Sequence, residues 1–188
     1  MVIIAMQHVL QSEAWREFQK KRGMKTVSFG SNFIQIKQMP KPFKDIGFIY
    51  RGQVEEGKIN ELNKIGREHN LSHIHFEPDE GKPLQTGIDT DPVFLPHTIE
   101  LDLAKPMDEL LAEMDKNTRY NCKYGRKNGV VTEFGVSEEF YNEFEQLVFQ
   151  TIKRKNYFGR TKNYYRQLWR IMQEQGKAII ALAKHEGE

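Results

Sequence analysis

The residues of this chain best suited to chemistry are one carboxylate, a few isolated arginines, two histidines and two basic stretches. Glu77 follows the run Ser72–Phe76, which carries His73 and His75. A carboxylate at a strand end can hold an amine or take its proton. The simpler alternative is the start of the turn Glu77–Pro78–Asp79. His73 and His75 share a strand face and could bind a metal, but no third ligand stands at a suitable spacing, which favours packing. Arg160 stands just before Thr161, which caps a helix carrying Tyr164. A guanidinium beside the free N–H groups of a helix start suits a phosphate, and Tyr164 lies one turn further on. A solvated helix start with a core tyrosine explains the same pattern. Lys20, Lys21 and Arg22 close an earlier helix, where cations complement the dipole. Arg51 and Gly52 follow the apolar run Ile46–Tyr50, as a ligand arginine or as a strand-end turn.

The 188 residues are 38% hydrophobic and 11% aromatic, enough for a real core and too much for low-hydrophobicity disorder. The formal charge of +2 is unevenly spread. Residues 1–104 carry 13 Lys/Arg against 14 Asp/Glu, and residues 105–188 carry 15 against 12. Lys116–Lys127 holds Lys116, Arg119, Lys123, Arg126 and Lys127 with no acid. Gln146–Gln173 is also acid-free and holds Lys153, Arg154, Lys155, Arg160, Lys162, Arg166 and Arg170. Two such stretches point to an anionic partner, phosphate or nucleic acid. The single cysteine, Cys122, excludes an internal disulfide and a Cys-based zinc site, and it fits a reducing, cytoplasmic setting. It could be a nucleophile, although a lone cysteine in a basic helical stretch is usually incidental. No apolar run reaches the ~18 residues of a membrane span. Met1–Leu10 reads as a buried strand or entry segment rather than a signal peptide.

The elements that must position these residues follow from periodicity. Ser12 to Gly23 reads as an amphipathic helix. Lys25–Phe29, Asn32–Gln38 and Ile46–Tyr50 read as strands. Lys58–His69 is a helix, Ser72–Phe76 a strand, and Thr98–Leu103 alternates as another. Pro106 opens a helix with Met107, Leu110, Leu111 and Met114 on one face. Val130–Phe134 is a strand, Ser137 and Thr161 cap helices, and Ala178–Lys184 is a buried strand. The order is mixed α and β without regular βαβ alternation. There is no P-loop, dinucleotide fingerprint, His-Glu-x-x-His or Gly-x-Ser-x-Gly.

A series of short motifs resembles one family. The series begins with Gln11–Ser12, Trp15-x-x-Phe18 and Gly23. It continues with Ile34–Gln35–Ile36–Lys37 and Ile49–Tyr50–Arg51–Gly52–Gln53–Val54. His97–Thr98–Ile99–Glu100–Leu101–Asp102–Leu103 and Glu109–Leu110–Leu111 come next, followed by Met114-x-x-x-Thr118–Arg119–Tyr120–Asn121 and Gly129–Val130. Together they resemble the Fem family of peptidoglycan-bridge aminoacyltransferases, the methicillin-resistance factors, over nearly the whole chain. The resemblance implies paired acetyltransferase-like (GNAT-type) domains, each a mixed sheet flanked by helices. The expected division is a near-complete first domain at 1–104 and an incomplete second at 105–188.

The implied reaction moves an amino acid from aminoacyl-tRNA to the stem-peptide amine of a peptidoglycan precursor, lipid II or UDP-MurNAc-peptide. No metal or coenzyme is implied, and peripheral contact with the inner membrane face is expected. The family's diphosphate-gripping lysine falls on Lys21, with Lys20 the alternative. Its arginine falls on Arg160, its substrate tyrosine on Tyr164 and its acidic residue on Glu77. Arg51 falls in a substrate-side motif that departs from the family pattern at Tyr50 and Gln53. Phe158 stands where a threonine is usual. The basic residues of Lys116–Lys127, with Lys153, Arg154 and Lys155, would hold the tRNA acceptor end. Two other readings compete: an RNA-binding module without catalysis, and an acyl-CoA N-acyltransferase. The latter lacks its Arg/Gln-x-x-Gly-x-Gly/Ala signature.

Overall fold

The computed structural model describes residues 7–79, 84, 87–94, 99 and 101–187. They form a mixed α/β architecture that groups into two compact units. The first comprises residues up to Val93 together with Arg160–Lys177, and the second comprises Phe94–Gly159 and the residues from Ala178 on.

The first unit is a four-stranded mixed sheet with helices. Its strands are β1 (Lys25–Phe29), β2 (Asn32–Lys37), β3 (Asp45–Gly52) and β4 (Leu71–Pro78), in spatial order β1-β2-β3-β4. β1/β2 and β2/β3 are antiparallel, and β3/β4 is parallel. A parallel pair needs a crossover, and α2 (Ile59–Glu68) supplies it. One sheet face carries Ile34, Ile36 and Ile49 against Leu62 and Ile65 of α2, all buried. Alternation along the strands sends Gln35, Phe48, Tyr50, His75 and Glu77 to the opposite face.

That opposite face is partly covered by α1 (Glu13–Lys21), which Ser12 caps through its hydroxyl, 3.2 Å from the Trp15 N–H. Arg16 donates to the Thr26 and Ser28 hydroxyls at 3.2 and 2.9 Å, tying α1 to β1. Ala14 and Phe18 are fully buried, and α1 packs on α6 (Lys162–Glu174), whose Trp169, Ile171 and Met172 are buried. This packing carries α6 into the first unit. The grouping therefore differs from the linear division at residue 104 expected from the sequence.

The second unit holds α3 (Met107–Glu113), α4 (Lys116–Lys127), β5 (Val131–Gly135), α5 (Glu138–Lys155) and β6 (Ile180–Lys184). β5 and β6 pair antiparallel, with Gly135 opposite Ile180 and Val131 opposite Lys184. Lys184 bridges Glu133 and Glu143 at 3.2 and 3.1 Å, linking the strand pair to α5. Gly135 is required sterically, because a Cβ there would lie 2.3 Å from Phe140 Cδ2. Pro106 stands at the start of α3 as expected. Ser137 occupies the cap position of α5 but caps no backbone N–H; its hydroxyl bonds the Glu139 carboxylate and holds that group below the usual range. The strand expected at Thr98–Leu103 falls partly outside the described residues, and residues 101–103 are irregular. Residues 1–6 of the Met1–Leu10 segment also lie outside them.

Candidate functional site

Glu77 is the centre of a polar cluster on the α1-side face of the first sheet. It is 7% exposed. β3 and β4 place Tyr50 beside Glu77 and Phe48 beside His75, two rows apart in the ladder and therefore on one face. His75 Nε2 lies 3.1 Å from Glu77 Oε1, and the Val93 backbone N–H donates to the same oxygen. Against an ionised Glu77, His75 must carry its hydrogen on Nε2, which leaves Nδ1 to face the Thr90 hydroxyl at 3.4 Å. Both contacts use Oε1, and Oε2 has no hydrogen-bond partner among the described residues. Burial, then the negative charge of Glu77, pushes the Tyr50 hydroxyl up to about 12. Phe48 stacks on Tyr50 at 5.2 Å and tilts against His75 at 5.8 Å, forming an aromatic floor beside the carboxylate. Gln35, opposite Phe48 in the next strand, is 2% exposed, and among the described residues its Nε2 has no acceptor. The Glu77 oxygen left without a partner suits a ligand bearing an amine, whereas the Gln35 amide N–H is buried away from solvent.

A second cluster lies where α1 ends and α6 begins. Tyr164 meets Phe18 edge to face at 5.1 Å. The Arg160 guanidinium sits 5.3 Å from the Tyr164 ring centroid, and the Arg22 guanidinium 4.9 Å from it. Arg22 also lies 5.4 Å from the Phe18 ring and donates to Gln19 Oε1 at 3.0 Å. Thr161 caps α6, accepting from the Tyr164 N–H at 3.2 Å. Lys21 is engaged elsewhere, 3.1 Å from Glu17 on its own helix.

Arg51 belongs to neither cluster. It adopts a left-handed φ of 51° at a register shift between Tyr50 and Gly52. Gly52 follows because a Cβ there would lie 2.5 Å from Ile49 Cγ2. The Gln11 side chain crosses from β2 to β3 beside this shift, accepting from the Phe33 N–H at 2.9 Å and donating to the Tyr50 carbonyl at 2.8 Å. Arg51 lines a polar cavity of about 230 Å³ with His8, Gln11, Asn32, Gln53 and Asp79.

In the second unit the basic residues divide into two kinds. Lys116, Lys123 and Lys127 share a face of α4 with Tyr120 and Tyr124, whose rings stack at 5.9 Å and are 62% and 56% exposed. Arg126 is exposed on a flank of the same helix. Arg119 turns inward: its Nη1 donates to the carbonyls of Leu111, Ala112 and Met114 at 3.3, 2.8 and 3.0 Å. Asp115 caps α4 through the Asn117 and Thr118 N–H groups at 2.8 and 3.0 Å. The Thr118–Arg119 part of the motif thus builds the α3–α4 corner. Lys153, Arg154 and Lys155 are exposed in the last turn of α5, where they complement its dipole. Cys122 is exposed on α4.

Comparison with known proteins gives these positions a family. A family model described as the FemAB family matches residues 48–186. This chain belongs to the FemAB family. Its fold is similar to the crystal structure of FemX, with a TM-score of 0.76 at 20% sequence identity. The match covers 94% of this chain and 52% of that one, so the chain spans about half the length of FemX. A search of curated proteins returns no match. The FemAB match includes Arg51, Glu77, Arg160 and Tyr164. Sequence reasoning passed over His75, Tyr50 and Arg22 as members of the two clusters. His75 was legible as the residue two before Glu77, on the same strand face. Arg22 stood in the basic triplet, but only packing separates it from Lys20 and Lys21.

Proposed function

We propose that this chain serves tRNA-dependent aminoacyl transfer in the cytoplasm. An amino acid passes from aminoacyl-tRNA to the stem-peptide amine of a peptidoglycan precursor, lipid II or UDP-MurNAc-peptide. The observation that carries this reading is the FemAB match over residues 48–186, which contains both Glu77 and Arg160. No described helix is long and apolar enough to cross a membrane, and a lipid-linked precursor would be met by peripheral contact with the inner membrane face.

The chemistry suits the geometry. A stem amine arrives as an ammonium and must lose one proton before it attacks. Glu77 Oε2 is open to that ammonium, and His75 and Val93 hold the carboxylate through Oε1. Attack on the ester carbonyl forms the C–N bond. The ester C–O bond then breaks, and the ribose oxygen leaves as a hydroxyl with a second amine proton, while the third stays on the amide nitrogen. Aminolysis of an ester is downhill, so the protein's task is positioning. Arg160 and Tyr164 would anchor the precursor diphosphate by charge-assisted hydrogen bonds.

Calorimetric titration of UDP-MurNAc-pentapeptide into the protein tests this. Arg160→Ala should weaken binding at least tenfold, since a charge-assisted hydrogen bond is worth about 1.5–3 kcal/mol. No binding by the parent protein would sink the proposal. One observation favours a second reading, an RNA-binding module without catalysis: the exposed Tyr120–Tyr124 stack among lysines is a platform for unpaired bases. Equal affinity for charged and uncharged tRNA, with none for the precursor, would select it.

A further inference from the structure

We propose that Arg22 is the second cation of the diphosphate site, closing on the ligand together with Arg160, in the place the resemblance assigns to Lys21. This rests on the diphosphate reading above and names a residue it lacks. Both guanidiniums lie against one ring, 4.9 and 5.3 Å from the Tyr164 centroid. Among the described residues neither has a carboxylate at ion-pair distance. Arg22 has only Gln19 Oε1 as acceptor, at 3.0 Å, and Arg160 has only the ring.

Two like charges gathered on one tyrosine without a counter-ion repel each other. An anion that bridges them removes that repulsion and uses donors that are otherwise idle. The aromatic support also decides between neighbours. Arg22 is stacked on Phe18 and Tyr164, and Phe18 is itself fully buried, so the guanidinium is pre-positioned. Lys21 would first have to leave Glu17, 3.1 Å away. A guanidinium offers paired donors to two oxygens of a phosphoryl group, whereas an ammonium acts as a point charge. Two guanidiniums match the several oxygens of a diphosphate ester better than a single carboxylate. The same diphosphate occurs in nucleotide-linked and in lipid-linked precursors.

The test is a titration of inorganic pyrophosphate into the whole chain, repeated for Arg22→Ala, Arg22→Lys, Arg160→Ala and Lys21→Ala. The expected result is at least a tenfold rise in Kd for both arginine-to-alanine variants and a change under twofold for Lys21→Ala. Arg22→Lys should recover only part of the loss, because it restores charge without the stacked, two-donor geometry. Thermal unfolding at an unchanged midpoint shows that the variants are folded; if Arg22→Ala does not fold, Arg22→Lys carries the comparison. Unchanged affinity in Arg22→Ala with a loss in Arg160→Ala would overturn this inference and leave the precursor reading standing. A loss in Lys21→Ala alone, or no pyrophosphate binding at all, would also overturn it. Pyrophosphate binding that depends on Arg22, without binding of UDP-MurNAc-pentapeptide, would uphold the anion site and defeat the precursor reading. Vesicles carrying lipid II, run beside the soluble precursor, separate the two sources by which one competes with pyrophosphate.

Discussion

Tyr50 and Glu77 are coupled through the ladder that sets them side by side, and that coupling has consequences at high pH. The phenol is held protonated by burial and by the carboxylate's charge, up to about 12. An acid whose affinity for its proton rises on folding adds stability that is complete below its unfolded value of about 10. That stability is lost as pH climbs toward 12. Denaturant midpoints measured from pH 8 to 12 should therefore fall over the upper two units, and Tyr50→Phe should flatten the fall. An unchanged slope in Tyr50→Phe would show that other groups govern it. Glu77→Gln separates chemistry from anchoring. It removes the charge that would meet the ammonium in the proposed reaction and leaves Arg160 and Tyr164 intact. Transfer should drop by roughly 10²–10⁴, the usual contribution of a positioned acid–base group, while precursor Kd stays within a few-fold. Parallel losses in rate and affinity would mean that Glu77 supports structure alone. Alternation in β4 made the His75–Glu77 pairing readable in advance. The Arg22–Arg160 meeting was not readable, because it depends on two helices about 140 positions apart in sequence packing through Phe18 and Tyr164.

The elements themselves were largely legible, since most are bounded by local signals. Ser12, Pro106, Thr161 and Gly23 mark helix ends where capping chemistry predicts them. The strand pattern in Lys25–Tyr50 survives as β1 to β3. What local signals hide is the use made of a side chain across elements. Arg119 reads as one more base in an acid-free stretch, yet three carbonyls at the end of α3 claim its Nη1. Ser137 reads as a cap and instead serves Glu139. The Arg119 geometry predicts opposite behaviour for residues of similar composition. Arg119→Ala should loosen the α3–α4 corner, costing about 1 kcal/mol and speeding amide exchange there, because the guanidinium donors to helix-end carbonyls are lost. Lys123→Ala and Lys127→Ala should leave exchange unchanged and weaken RNA binding, with the log–log salt slope falling by about 0.7 per phosphate contact removed for single strands. Equal effects of all three on RNA affinity, with no change in exchange, would return Arg119 to the nucleic-acid face.

At the scale of the whole molecule, the first unit is not a continuous stretch of chain. Residues up to Val93 are joined by Arg160–Lys177, and the second unit takes up the chain again from Ala178. Composition and motif order suggested a linear division at 104, since nothing in local periodicity reveals that α6 returns to α1. The return is a matter of burial. Ala14 and Phe18 of α1 are fully buried, and α6 supplies Tyr164 against Phe18 together with buried Trp169, Ile171 and Met172. Gln175 adds a hydrogen bond to Glu17 at 3.0 Å. A fragment of residues 1–104 keeps the four strands and α2 but uncovers that side of α1. Exposing a large aromatic such as Phe18 costs about 1.5–3 kcal/mol by itself, against a total of 5–15 kcal/mol for an ordinary domain. The fragment should therefore melt with lower cooperativity and at a lower temperature than the same unit in the full chain. A peptide of residues 160–177 added in trans should raise the midpoint, and the same peptide carrying Trp169→Ala and Met172→Ala should not. A cooperative, unshifted melt of 1–104 alone would show that α6 is dispensable to the first unit. The Arg22–Arg160 site, which draws one arginine from each piece, would then have to form without contributing to the stability of that unit.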